Sequence, residues 1–124
     1  MVLEHLEGKT VALIGLGVSQ VDFAIGLENS REWDEIWCIN SAGLVYPADR
    51  IFALDPASRF FDSDDAGKQT NAMAKLMSSS DVPIYTCELD PRIKNPVLYP
   101  VEDVCNATQC AYLNKTVAYA IVFV

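Results

Sequence analysis

The run Thr10-Val11-Ala12-Leu13-Ile14, closed by Gly15-Leu16-Gly17, constrains this chain more than any other feature. An apolar run without polar alternation fits a strand covered on both faces, as in a parallel sheet. The stretch 19–29 then places Val21, Phe23, Ala24, Ile25 and Leu27 on a wide helical face. Ser19 with Asp22 resembles a capping box, with Asp where Glu is usual. Gly26 weakens that helix by up to about 1 kcal/mol relative to Ala. Strand, glycine turn and helix follow in the order of an α/β unit.

The pattern continues. Residues 35–40 (Glu35-Ile36-Trp37-Cys38-Ile39-Asn40) read as a second strand, and 50–54 as a third, ending at Asp55-Pro56. The connection 41–47 is too short for a full crossover helix and has room for one or two turns. A modest helical stripe (Ala66, Ala72, Met73, Leu76, Met77) covers 63–78. Residues 82–86 and 96–99 are two further short strands, separated by a Pro- and charge-rich loop. The segment 114–124 is almost wholly apolar after Lys115 and reads as a crossover helix capped by Asn114.

This alternation predicts an α/β fold: a Rossmann-like, doubly wound, mostly parallel sheet in three layers, with ligand chemistry at the strands' C-terminal edge. A helix as apolar as 114–124 should lead into another strand. Residues 1–124 are therefore expected to form one nucleotide-binding domain, truncated and lacking its C-terminal strand or strands. The alternative is a homo-oligomer in which a second copy covers this end.

Composition narrows the partners. The 124 residues are 51% hydrophobic and 21% charged, which excludes a disordered chain. A net charge of -8 argues against nucleic acid or an anionic membrane, since both demand a basic face. No apolar stretch is long enough to span a bilayer. The start, with Glu4, His5 and Glu7, does not read as a signal peptide. A cytoplasmic protein is expected. Cys38, Cys87, Cys105 and Cys110 show no C-x-x-C spacing, and His5 is the single histidine. Reduced thiols and no metal site follow as expectations.

The Gly15–Ser19 turn carries the sharpest chemistry. Two glycines admit a phosphate close to the backbone, and the next helix N-terminus offers unpaired N–H groups. The dinucleotide fingerprint fails at two points: Gln20 stands where its third glycine belongs, and Asn40 where its ribose-binding carboxylate belongs. Asn40 and Asp55 end the second and third strands, so both fall on the turn's edge. Asn can donate to and accept from a ribose or base, while Asp accepts from hydroxyls or holds a cation. A turn or cap role for Asn40 and an Asx-Pro turn at Asp55 are the structural alternatives.

Two other motifs are imitations. Gly67-Lys68-Gln69-Thr70 resembles the end of a P-loop, but Asp62 replaces its first glycine and Gln69 its Ser or Thr. Residues 62–67 resemble a calcium loop whose twelfth position is Met73 rather than Glu. Asp64 and Asp65 read instead as a solvated acidic helix start. Trp33, Trp37 and the tyrosines read as core and rim packing.

The blocks 11–19, 38–40, 52–56 and 112–118 together resemble a Rossmann-like group. It comprises the 6-hydroxymethylpterin diphosphokinase-like and motility-associated glycosyltransferase-like proteins, many small phage proteins and, more distantly, bacterial sialyltransferases that use CMP-sialic acid. The group's Gly-x-Gly-Pro-Ser block has Val18 in place of the proline here. The resemblance implies that Gly15, Gly17, Ser19 and Asn40 hold a nucleotide, with Asp55, Asn114 and Thr116 near its ribose and phosphates. It further implies a nucleotide or nucleotide-sugar ligand, with or without magnesium, and glycosyl or diphosphate transfer. The acidic motif and the histidine that follow in such proteins are not found here. A phage-encoded member would work in the host cytoplasm. The rival expectations are a non-catalytic phage-type interaction protein that keeps the fold, and an NAD-binding module.

Overall fold

The structure is a computed structural model, and it describes residues 7–17, 33–64, 67, 69–108, 116 and 120–121. The helix expected at 19–29 lies outside these. Five strands are seen: β1 (Val11–Ile14), β2 (Glu35–Ile39), β3 (Arg50–Phe52), β4 (Ile84–Thr86) and β5 (Pro96–Leu98). All neighbours pair in parallel, in the order β1-β2-β3-β4-β5. The central strands β2, β3 and β4 are buried on both sides and need only three to five residues to cross the core, while β5 is half-buried and exposes Leu98.

A 3₁₀ turn (Asn40–Leu44) supplies the short link after β2. Helices α1 (Ser58–Phe61) and α2 (Gln69–Ser79) fill the crossover from β3 to β4. Helix α3 (Val101–Thr108) follows β5, and Thr116, Ala120 and Ile121 are helical. The sheet is thus covered on both faces. On one, Ala12, Ile14, Cys38, Ile51 and Ile84 pack under Ala42, Phe60, Met73, Leu76 and Met77. On the other, Trp37, Ile39, Phe52 and Tyr85 pack with Tyr99, Val104 and Ala120. Phe52 stacks on Tyr85 with ring centroids 4.9 Å apart. This is the expected three-layer α/β Rossmann-like arrangement. Because the strand order is sequential, right-handed connections put the 3₁₀ turn, α1 and α2 on one face. Among the described residues, the chain changes face only after β5.

Three local expectations need correction. The helical stripe starts at Gln69 rather than Ser63, because Gly67 takes a left-handed φ of +61° that breaks the helix before it. Asp64 consequently sits in a turn, its carbonyl accepting from the Gly67 N–H, and not at a helix start. Third, α1 and α3 occupy segments for which no helix was expected. Trp37 and Cys38 are buried as expected, and burial, reinforced by Asp49, pushes the Cys38 thiol up to about 11. Cys38, Cys87 and Cys105 are free.

Candidate functional site

Parallel pairing brings all five strand ends to one edge, so Gly15, Gly17, Asn40 and Asp55 line up along it. Adjacent strands are about 4.8 Å apart, and the β1 and β3 corners are therefore about 10 Å apart. Ser19 and Asn114 lie outside the described residues, while Thr116 is helical and half-buried.

Gly15 and Gly43 show what a glycine can be for. A Cβ on Gly43 would come within 2.7 Å of Ile51 Cδ1, so any larger residue there forces buried Ile51 to shift. A Cβ on Gly15 would meet nothing within 4 Å, and its φ lies outside the left-handed region. The fold itself does not require glycine at position 15. Open space above a strand end is what an approaching phosphate would occupy.

Asn40 opens the 3₁₀ turn with φ at 49°, a left-handed conformation that Asn adopts more readily than most residues. Its Oδ1 is buried and has no hydrogen-bond partner among the described residues. Leaving a buried acceptor unsatisfied costs about 1–3 kcal/mol, so such groups are uncommon in stable folds.

Asp55 is engaged. Its Oδ2 accepts from Arg59 Nη1 at 2.9 Å, across one turn into α1. Arg59 is a residue that sequence reasoning missed. The signal was present as an acid and a base four residues apart, but it carries meaning only once α1 is known.

The other half of the edge is different in character. Cys87, Leu98, Tyr99, Pro100, Val101, Glu102 and Asp103 line a cavity of about 380 Å³ at the ends of β4 and β5. Burial, then Glu88 and Asp55, raise the Cys87 thiol above its ordinary value, so it stays protonated at neutral pH. Two carboxylates in the first turn of α3 make this end of the edge acidic. Among the described residues, no group of three His, Cys, Asp or Glu side chains is arranged to hold a metal ion. No described helix is long and apolar enough to cross a membrane.

The sequence matches no protein-family model, and no curated protein or solved structure matches it.

Proposed function

We propose that the protein is a nucleotide- or nucleotide-sugar-binding Rossmann-like domain of a transferase. In this reading the phosphates lie against the 15–19 turn, the ribose or base meets Asn40, and any magnesium arrives with a di- or triphosphate. The observation that carries it is the buried, unpartnered Oδ1 of Asn40 at a strand end. With the amide turned toward the edge, a ribose hydroxyl or a base N–H would supply the donor it lacks. Two further features support the reading: the fold does not need a glycine at position 15, and a cation stands at the β3 corner. The separate cavity beyond β4 and β5 has the size range of a small-molecule site and would take the acceptor.

A mononucleotide is favoured over NAD because a dinucleotide site wants a carboxylate at position 40. The test is calorimetric titration of wild type and Asn40→Asp with CMP, UDP, ATP and NAD. Asp also tolerates the left-handed backbone, so the variant keeps its fold. Wild type should bind at least one mononucleotide. The variant should lose about 1–3 kcal/mol, or roughly five- to 150-fold, because it sets a negative charge beside an anionic ligand. Tighter NAD binding by the variant, with no mononucleotide bound by wild type, would overturn the proposal in favour of an NAD module.

A further inference from the structure

The three described arginines are used very differently. Arg50 donates through all three guanidinium nitrogens: Nε and Nη2 to Glu35, and Nη1 to the Tyr85 hydroxyl. Arg92 does the same with Asp62 and Asp90, and also lies 4.6 Å over the Phe61 ring. Arg59 gives one hydrogen bond, from Nη1 to Asp55. Its Nε and Nη2 have no acceptor among the described residues, and its side chain is 43% exposed.

A guanidinium presents five N–H donors in a fixed plane that matches a phosphate through two parallel bonds. Held at one corner by Asp55, Arg59 keeps a bidentate face open. The Asp55 bond fixes the torsions that a free arginine would have to order on binding, which removes part of the entropic penalty of capture. The guanidinium also lies over the Phe60 ring, 6.0 Å from its centroid, which further restricts it. In a chain of net charge -8, an anionic ligand needs a local cation of this kind.

We infer that Arg59 is a second phosphate-binding group, at the β3 corner of the strand-end site, and that Asp55 is a positioning residue that holds it rather than a direct contact to the ligand. The inference rests on the nucleotide reading of this edge and adds a side chain that recognises the phosphate. It also reassigns Asp55: its carboxylate acts through Arg59.

The experiment measures affinities of wild type, Arg59→Gln, Arg59→Lys and Asp55→Asn for four nucleotide-type ligands and one bare anion. These are CMP with cytidine, ATP with adenosine, and inorganic pyrophosphate. Arg59→Gln should weaken CMP, ATP and pyrophosphate about tenfold and leave cytidine and adenosine unchanged. Arg59→Lys, which keeps the charge and loses the fork, should fall between wild type and Arg59→Gln. Asp55→Asn should weaken the phosphorylated ligands by less than Arg59→Gln does and again spare the nucleosides. All variants should melt with wild type, since the pair is on the surface. Nucleotide binding that survives Arg59→Gln unchanged would sink the inference and leave the nucleotide reading intact. Equal loss of nucleosides and nucleotides in Asp55→Asn would restore Asp55 as a ribose contact. Pyrophosphate binding that depends on Arg59, with no nucleotide preferred over pyrophosphate, would support the arginine while removing the nucleotide reading. A wild type that binds none of the phosphorylated ligands overturns both.

Discussion

Where the strands begin, polar groups meet partners. The Thr10 N–H donates to Asp34 at 2.7 Å, and the Ile36 N–H to Asp49 at 2.8 Å. Glu35 accepts from Trp37 Nε1 and from Arg50, and Asn95 Nδ2 donates to the Asp81 carbonyl. Where the same strands end, pairing is only partial: Thr86 Oγ1 donates to the Glu88 carbonyl and Asp55 holds one nitrogen of Arg59. Among the described residues, Asn40 Oδ1 is buried without a donor, Arg59 keeps two nitrogens open, and Leu16, Leu98 and Val101 are exposed. Both ends hang on one hydrogen-bonded ladder, so the ladder itself does not account for the contrast. Side-chain pairing at the entry end fixes strand register. At the exit end the loops carry groups without a partner among the described residues, and loops on a rigid scaffold are where binding groups usually sit.

The sharpest way to break this comparison sets one glycine against the other. Gly15→Val should reduce nucleotide binding below detection, because the branched side chain fills the space proposed for the phosphate. Its stability should stay within about 0.5 kcal/mol of wild type, since nothing lies near its Cβ. Gly43→Val should do the opposite, costing about 1–3 kcal/mol through its clash with buried Ile51 and leaving the affinity of the folded fraction intact. Denaturant titration and calorimetry on the same two variants decide it. If Gly15→Val binds normally, the open space at the turn has no bearing on the ligand.

The second prediction concerns the entry end. Glu35 and Arg50 are only 14% and 15% exposed, and Glu35→Ala strips Arg50 of its carboxylate and Trp37 Nε1 of this acceptor. A loss of about 2–3 kcal/mol is expected, with nucleotide affinity unchanged. Chemical denaturation reports the first quantity and titration the second. A variant that kept its stability but lost binding would mean the two ends are not separate in function.

Much of this was legible in the residues, and the limits have physical reasons. The strands announced themselves because burial on both faces leaves continuous apolar runs such as 11–14 and 36–39. Their C-terminal ends then placed Gly15, Asn40 and Asp55 on one edge before any contact was known. Helix α1 was not legible, since its four residues hold too little propensity to stand out. Helix α3 had left a signal in Pro100 followed by Glu102 and Asp103, the acidic first turn that a helix dipole favours. The fully paired roles of Arg50 and Arg92, and the half-used state of Arg59, depend on partners 15 to 35 residues away or on a helix not foreseen. Sequence spacing does not encode those meetings. The packing role of Gly43 belongs to the same class, because only the fold brings Ile51 against it.

The smallest effect expected lies on the surface, away from both ends of the comparison, and it serves as its control. Hydrogen bonds from the Arg92 side chain and backbone hold the Asp90 carboxyl down at about 2, and the same cation lowers Asp62. In the unfolded chain an Asp takes up its proton near pH 4. Between about pH 4 and pH 2 the unfolded state therefore binds more protons than the folded one, and stability falls as the pH falls. The contribution of the Asp90–Arg92–Asp62 cluster is complete above about pH 4 and disappears as the pH drops through about 2. Asp90→Asn should accordingly melt slightly below wild type at pH 7, and the gap should close on approaching pH 2. High salt should narrow the gap at pH 7 as well, because the groups face solvent and are screened. Thermal melts of the two proteins across that pH range, at low and high salt, supply the check. A gap that persisted at pH 2 would mean that Asp90 contributes through packing or backbone geometry rather than through its charge. Nucleotide affinity at neutral pH should be the same in both proteins, since this cluster ties the end of α1 to the loop before β5 and touches none of the residues assigned to the ligand.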